Sequence, residues 1–179
     1  MTTAPLPPLP TPPDDRPRLT AHPVLTDRDA LHMGLIRNRQ RAGFSHDNNP
    51  ISPDRQLDWW RTNRHRLRAY LYRDGDGAVV GYGCLRQESD GRWYSSCAVD
   101  AGYERLGHGK AILTHLVLAV DHDVWATARD DNEAAQKIHD PLLWETLGWH
   151  EGLWLYRTRP RVRDAAPVPD GDDEGDGDG

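Results

Sequence analysis

The fold is decided by residues 98–113, which read Ala98-Val99-Asp100-Ala101-Gly102-Tyr103-Glu104-Arg105-Leu106-Gly107-His108-Gly109-Lys110-Ala111-Ile112-Leu113. An apolar run ends here, turns through a glycine-spaced loop and enters an amphipathic segment. Gly107 and Gly109 allow the backbone to turn without Cβ clashes, so the amides of residues 104–110 are expected to converge at a helix start. Free N–H groups and the positive end of the helix dipole attract anions. The stretch therefore predicts a site for a pyrophosphate group.

The spacing of this loop excludes two other phosphate-binding motifs. A Walker A loop has a glycine, four residues and then Gly-Lys-Ser/Thr, whereas Gly109-Lys110 is followed by Ala111, and Glu104 stands where the first glycine belongs. A dinucleotide fingerprint needs three glycines after the first strand of a βαβ unit, and this loop has only two suitable glycines, deep in the chain.

The stretch resembles the acyl-CoA motif of the GCN5-related N-acetyltransferase (GNAT) superfamily, an apolar strand end followed by Gln/Arg-x-x-Gly-x-Gly/Ala and a helix. Glu104 departs from this pattern, because it places a carboxylate where the family has Gln or Arg. Residues 132–135 and 144–149 resemble the family's Asn-x-x-Ala and Tyr-x-x-x-Gly-Phe segments, the two halves of its last helix. The insertion between them contains Pro141, which is expected to break that helix.

Residues 19–160 are predicted to form one α/β (α+β) domain, because strand and helix periodicities alternate along them. Strands are predicted at residues 19–24, 67–73, 78–86, 92–100 and 123–128, and helices after the caps Thr26 and Ser52 and over residues 108–120. The resemblance implies the GNAT fold: a central mixed, mostly antiparallel sheet of about six or seven strands flanked by about four helices.

Both ends of the chain are predicted to be disordered tails. Residues 1–18 are dense in proline, and residues 161–179 are acidic and rich in glycine. Seven of the 28 acids lie beyond Arg163, so the remaining acids nearly balance the 22 basic residues. We expect neither nucleic-acid binding nor membrane insertion from this composition. Two cysteines and no signal-peptide pattern indicate a cytoplasmic protein.

The resemblance implies an N-acetyltransferase, an acyltransferase enzyme that uses acetyl-CoA as co-substrate. In this family a neutral amine attacks the thioester carbonyl directly, and a backbone amide of the strand before the loop holds the oxyanion. By the same resemblance, the cofactor-binding residues are Ala98, Val99, Glu104, Arg105, Leu106, Gly107, His108, Gly109, Lys110, Asn132 and Trp144.

The general acid is left open by the sequence. Trp144 takes the place of the family's usual Tyr, and an indole N–H is not a usable acid. Trp144 is therefore interpreted as a packing residue that lines the cofactor channel. The thiolate either leaves unassisted or takes its proton from Tyr156, His139 or water.

The general base is also open. The family often places Glu or His on the fourth strand, where this chain offers Ser95 and Cys97, neither a good base for an amine. Asp100, Glu88 and His108 are the other candidates, each with an ordinary structural role as an alternative. A water chain that ends at one of them is an equal alternative.

No metal site is expected. His108, His115 and His122 recur every seven residues, whereas a helical ligand pair needs residues i and i+4. We interpret these histidines as solvated surface residues.

The acceptor is expected between the first two helices. Residues 38–59 faintly resemble a pattern in enzymes that acetylate nucleotide-linked amino sugars, with Asn38, Phe44, Trp59 and Trp60 as candidate contacts. Helix capping and core packing are the alternative roles. The predicted partner is a small primary amine of amino sugar or amino acid type, and the protein is predicted to be a monomer or homodimer. A catalytically weak acyl-CoA-binding module and a peptide N-terminal acetyltransferase are the alternative functions.

Overall fold

The computed structural model describes residues 18–44, 48–139 and 143–159. The predictions on the two tails, apart from Arg18, and the prediction on Pro141 concern residues outside these ranges. The strands are β1 (Thr20–Pro23), β2 (Leu67–Arg73), β3 (Val79–Gln87), β4 (Trp93–Val99), β5 (Val124–Arg129), β6 (Trp144–His150) and β7 (Leu153–Thr158). The α-helices are α1 (Asp27–Arg39), α2 (Pro53–Asn63), α3 (His108–Leu118) and α4 (Glu133–Ile138), and 3₁₀ turns cover Arg41–Gly43 and Arg64–Arg66.

The seven strands form one sheet in the order β1-β2-β3-β4-β5-β7-β6. Every neighbouring pair is antiparallel except β4 and β5, which are parallel. The predicted mixed, mostly antiparallel sheet with four helices is confirmed. The α3 helix supplies the crossover between the two parallel strands.

Local signals start the first two helices as predicted. The Thr26 hydroxyl accepts from the amide of Asp29, and the Asp29 carboxylate accepts from the amide of Thr26, which is a capping box. Ser52 caps α2, with Pro53 at its first position. Because both caps precede the apolar positions of their helices, α1 and α2 begin at the predicted residues.

Each face of the sheet carries a buried cluster. One joins α1 and α2 to the sheet through Ile36, Trp60 and Tyr82, and the other joins α3 to the sheet through Ile112 and Leu116. The α3 helix approaches β3 very closely, since a Cβ built on Gly83 would lie 2.7 Å from Ile112 Cγ2. The absence of a side chain at Gly83 therefore lets α3 pack directly on β3.

The last part of the chain differs from the prediction. The α4 helix ends at Ile138, and residues 144–150 form strand β6 instead of the second half of a helix. Trp144 pairs with Thr158 of β7 and lies in the core at 3% exposure. Its position is therefore set by strand pairing, and the helical alignment of Trp144 is wrong.

Two of the three histidines predicted to be solvated are buried. His115 and His108 are each 3% exposed. The Tyr72 hydroxyl is hydrogen-bonded to His115 Nδ1 at 2.7 Å, and burial lowers the pKa of His115. His108 Nδ1 donates to the carbonyl of Tyr103 at 3.1 Å. Both side chains thus pack within the domain.

Within the described ranges, no helix is long and apolar enough to cross a membrane. The same residues contain no group of three or more side chains suited to hold a metal ion.

Candidate active site

Strands β4 and β5 pair only at their beginnings and then diverge. Trp93 lies opposite Val124 and Tyr94 opposite Trp125, and no further register pair follows. The Ser95 hydroxyl donates to the carbonyl of Trp125 at 3.3 Å where the strands part. Beyond this point the edge of β4 that faces β5 has no strand partner. Because backbone N–H and C=O groups need partners, this gap suits a ligand with its own amide groups.

The gap opens into a cleft of about 1590 Å³. One wall comes from α1, α2 and their connection, and the opposite wall from the glycine loop, α3 and α4. Ten residues of the predicted cofactor-binding and catalytic sets line it: Ser95, Cys97, Ala98, Val99, Glu104, Arg105, Gly107, Gly109, Lys110 and Asn132. Phe44 and Trp59 of the predicted acceptor set also line the cleft.

The glycine loop delivers an open helix start to the cleft. Gly107 is the N-cap of α3 with a φ of 81°, a conformation that favours glycine. No side chain caps α3, and its first turn contains no acidic residue. Arg105 also has a positive φ, 63°, which costs a non-glycine residue roughly 1–2 kcal/mol. The first amides of α3 are therefore available to an anion.

Glu104 lies in this loop but is bound to protein groups. Its carboxylate accepts from the Gly102 amide at 2.7 Å and from Gln40 Nε2 at 2.8 Å. Hydrogen bonds from its own amide, from Gln40 and from Gly102 lower the pKa of Glu104, so the group is charged at neutral pH. The carboxylate thus joins the loop to the end of α1.

Asp100 does not line the described cleft. Its carboxylate accepts from Arg39 Nη1 at 2.7 Å and from the Ala101 amide at 2.9 Å. The side chain is about 10% exposed. With both oxygens engaged at the end of β4, Asp100 anchors the loop and is not placed as a base.

The floor of the cleft is neutral. Cys84 lies opposite Ser96, whereas Cys97 lies opposite Gly83, so the two cysteines point to opposite faces of the sheet. Burial raises the pKa of both Cys84 and Cys97 to about 12. Both thiols therefore keep their protons at neutral pH, and neither serves as a base or as a thiolate nucleophile.

Tyr82 and Ser96 complete the floor on the side of α1 and α2. The Tyr82 side chain is hydrogen-bonded to Ser96, and burial raises the pKa of Tyr82. Tyr82 is 4% exposed. These two hydroxyl groups face the acceptor wall, whereas the predicted Ser95 lies on the other face of β4.

His139 ends α4 and lines the cleft. Its Nδ1 lies 2.7 Å from the Ala135 carbonyl, which can only accept, so Nδ1 carries the hydrogen and Nε2 is an acceptor. The ring stacks on Tyr156 at 4.0 Å between centroids and meets Trp144 edge-on at 4.9 Å. Burial lowers the pKa of His139 to about 4, so the imidazole is neutral.

Several predicted site residues lie away from the cleft. Trp144 and Tyr156 are in the core behind His139 and do not line the cleft. Leu106 is 56% exposed on the surface of the loop, and His108 is buried beneath it. Trp144 as a residue of the cofactor channel is therefore wrong.

Two predicted acceptor contacts also have structural roles. The Asn38 side chain donates to the carbonyl of Ile51 at 2.8 Å and accepts from its amide at 2.9 Å, which ties α1 to the residues before α2. Trp60 is 5% exposed in the core between α1 and the sheet. Asn38 thus positions the acceptor wall without lining the cleft.

Sequence reasoning missed several lining residues. Arg37 and Arg55 extend from α1 and α2, and Tyr82 and Cys84 belong to β3. The alternation of β3 could have indicated Tyr82 and Cys84, since they share a face with Ser96. No local signal marks Arg37 or Arg55, because their place depends on how the helices pack.

Residues 34–142 match the model of the acetyltransferase (GNAT) family. No curated protein sequence matches the chain significantly.

Solved structures share the fold at low sequence identity. The Salmonella typhimurium protein YncA, solved with its cofactor acetyl-CoA, is 17% identical, with 84% of this chain and 99% of that chain covered and a TM-score of 0.66. An N-acetyltransferase from Staphylococcus aureus Mu50 is 17% identical, with coverages of 79% and 96% and a TM-score of 0.64. Vibrio cholerae spermidine N-acetyltransferase, in complex with CoA and spermine, is 12% identical, with coverages of 78% and 94% and a TM-score of 0.65.

Proposed function

The chain belongs to the acetyltransferase (GNAT) family, and from this premise we propose that it transfers an acetyl group from acetyl-CoA to the primary amine of a small molecule. One observation carries the proposal. The unpaired edge of β4 lies beside the uncapped start of α3, and both open into the same cleft.

The residues of this region fit acetyl-CoA. The first amides of α3 would hold the pyrophosphate, and Arg105 and Lys110 add positive charge on the same wall. The backbone of residues 97–99 would pair with the amide groups of the pantetheine arm. Asn132 and His139 line the continuation of that wall. When bound, acetyl-CoA supplies an acyl group already activated as a thioester.

The chain contributes chiefly binding and polarisation to this reaction. A β4 amide among residues 97–99 would hold the developing oxyanion, since that strand edge has no partner. His139 presents an acceptor, Nε2, to the cleft and has its only ring hydrogen bonded to Ala135, so it is not the acid in this tautomer. The thiolate would then take its proton from water or leave unassisted.

Few side chains in the described cleft could act as the base that removes a proton from the amine. Of the three candidate bases Asp100, Glu88 and His108, Glu88 lines the described cleft. The Glu88 carboxylate accepts a hydrogen bond from Arg86. Cys84 and Cys97 hold their protons at neutral pH. We therefore expect the amine to react in its neutral form, with a rate that rises with pH through the pKa of the acceptor amine.

The charge of the cleft indicates the type of acceptor. Each carboxylate of the described lining already has a donor: Glu88 has Arg86, Asp90 has Arg92, and Glu104 has Gln40. Arg37 and Arg55 line the acceptor side in addition to Arg86, whose charge Glu88 offsets. A polyamine would bring further positive charge to these arginines, whereas an amino acid or a phosphorylated amino sugar would bring a complementary anion. We propose an acceptor of the latter type.

A thiol-release assay tests this function. Acetyl-CoA is incubated with glucosamine, glucosamine 6-phosphate, amino acids, their amides, a peptide N-terminus and spermidine, and free CoA is measured with and without each amine. We expect release that depends on the acceptor and is fastest with an anionic amine. A melting-temperature rise with acetyl-CoA but no release with any amine would instead show an acyl-CoA-binding module.

A further inference from the structure

Residues 40–44, here called the crossover segment, follow α1 and connect to both sides of the gap between β4 and β5. On the β4 side, Gln40 Nε2 donates to Glu104 Oε1 at 2.8 Å. On the β5 side, Asn132 Nδ2 donates to the carbonyl of Gly43 at 2.8 Å. These bonds join parts of the chain that are 64 and 89 residues apart. The crossover segment therefore spans the open end of the diverging strands.

The crossover segment also carries part of the acceptor wall. Phe44 follows Gly43 directly and lines the cleft. The Arg37 guanidinium lies over the Phe44 ring, 5.4 Å from its centroid, and donates to the carbonyl of Asn49 at 2.9 Å. Holding the crossover segment at Gln40 and Gly43 thus holds Phe44 against the cleft.

Glu104 is an unfavourable residue for a site that binds a pyrophosphate. Its carboxylate is charged and lies in the same loop as Arg105 and Gly107, so it repels a nearby anion. Its hydrogen bond to Gln40, in contrast, needs an acceptor oxygen at this position. The charge costs cofactor affinity, and the oxygen holds α1.

We propose that Glu104 is a positioning residue for the acceptor, which fastens the crossover segment to the cofactor loop through Gln40. This role rests on the proposed function, in which acceptor and acetyl-CoA meet in this cleft. This role explains why a carboxylate stands in the cofactor loop: Glu104 links the acetyl-CoA site to the acceptor site.

The role predicts opposite effects of one substitution on the two substrates. Glu104→Ala removes both the charge and the acceptor oxygen, so acetyl-CoA binds more tightly while the KM of the acceptor rises. We expect a rise of about threefold to tenfold, the range for losing one partly exposed hydrogen bond, with kcat at saturating acceptor nearly unchanged.

Two further variants separate charge from hydrogen bonding. Glu104→Gln keeps one oxygen that can accept from Gln40, although its amide nitrogen cannot accept from Gly102. Because the charge is removed and the bond to Gln40 is kept, acetyl-CoA binds more tightly and the acceptor KM stays near that of the parent. Gln40→Ala raises the acceptor KM as Glu104→Ala does but leaves acetyl-CoA affinity unchanged. In the double variant with Glu104→Ala, Gln40→Ala should not raise the acceptor KM any further, because both substitutions remove the same hydrogen bond.

A control variant removes another link of α1. Arg61 Nη2 donates to Asp27 Oδ2 at 2.5 Å between α2 and the start of α1, and neither residue lines the described cleft. Arg61→Ala should leave both the acceptor KM and the acetyl-CoA affinity unchanged. A matching rise of the acceptor KM in Arg61→Ala would overturn a specific role for Glu104.

Tryptic cleavage after Arg41 tests the same link without turnover. Arg41 is exposed within the crossover segment, so cleavage there reports how firmly that segment is held. Glu104→Ala and Gln40→Ala should speed this cleavage about threefold or more, and Arg61→Ala should not. Unchanged cleavage in both variants, weaker acetyl-CoA binding in Glu104→Ala, or an unchanged acceptor KM would each overturn the proposal. Absence of acceptor-dependent release in the parent protein would overturn the proposed function instead, and the cleavage result would still decide the link.

Discussion

Replacing Gly109 with aspartate is expected to remove acetyl-CoA binding without harming the fold. Gly109 lies in the first turn of α3 and lines the cleft. A Cβ built there would lie 3.6 Å from both Ile138 Cγ2 and Val99 Cγ2, which is ordinary contact. An acidic residue in the first turn of a helix is itself favourable by about 0.3–1 kcal/mol. The melting temperature of the unliganded Gly109→Asp variant should therefore equal or exceed that of the parent.

The size of the lost ligand effect follows from charge and mass action. At a hundred times its Kd, a ligand that binds only the native state stabilises it by about 2.7 kcal/mol. For a chain of 179 residues, this raises the melting temperature by about 5–10 °C. An aspartate about 4 Å from a phosphate charge costs about 4 kcal/mol at an effective dielectric constant near 20, or about a thousandfold in Kd. The variant should then shift by less than about 1 °C at the same concentration.

Differential scanning fluorimetry with and without acetyl-CoA measures both effects, and two controls isolate the cause. Gly109→Ala adds only the tolerated Cβ and should keep most of the ligand shift. Gly75→Asp adds the same charge in the β2–β3 turn, where a Cβ would meet nothing within 4 Å, and should leave the shift intact. An undiminished shift in Gly109→Asp would refute the placement of the pyrophosphate at α3.

Three further predictions concern residues around the cleft. Because burial lowers the pKa of His139 from 6.5 to about 4, the folded protein loses stability as the pH falls from 6.5 towards 4. His139→Phe should therefore reduce the loss of unfolding free energy between pH 7 and pH 5 by about 2 kcal/mol, measured by urea unfolding. An equal loss in both proteins would contradict this. Trp144→Tyr should leave turnover unchanged, since Trp144 lies in the core behind His139, and a higher steady-state kcat would restore the acid role inferred for that position. Cys84 is buried and its pKa is raised to about 12, so it should resist a thiol-specific reagent at pH 7 until the protein unfolds. Rapid labelling of Cys84 in the native protein would show that its thiolate is accessible.

Features encoded in short stretches were predictable from the sequence. Thr26 and Ser52 start their helices where their caps predict, and the two-glycine loop leads into α3. These signals depend on residues within one turn of each other, so no knowledge of tertiary contacts is needed. The family resemblance then gave the sheet and the cofactor wall.

Features set by distant partners were not predictable. His115 is buried because Tyr72, 43 residues away, bonds to it, and no periodicity of α3 reveals that contact. The family resemblance predicts a helix at Trp144, but pairing with β7 makes its segment a strand. His139 lies in the cleft because α4 ends at Ile138. Asp100 does not line the described cleft, and its carboxylate is bound by Arg39. Each of these outcomes depends on which elements meet across the fold.

Carbonyl-labelled acetyl-CoA gives the most direct test of acetyl transfer in this cleft. The protein is mixed with acetyl-CoA carrying ¹³C at the acetyl carbonyl and with an amine that promotes CoA release, and the carbonyl signal is followed by NMR. We predict that the thioester signal is replaced by an amide signal, only when protein and amine are both present, and that Gly109→Asp prevents this at low acetyl-CoA concentration. A carboxylate signal in place of the amide, or a thioester signal that persists with every amine, would contradict the account.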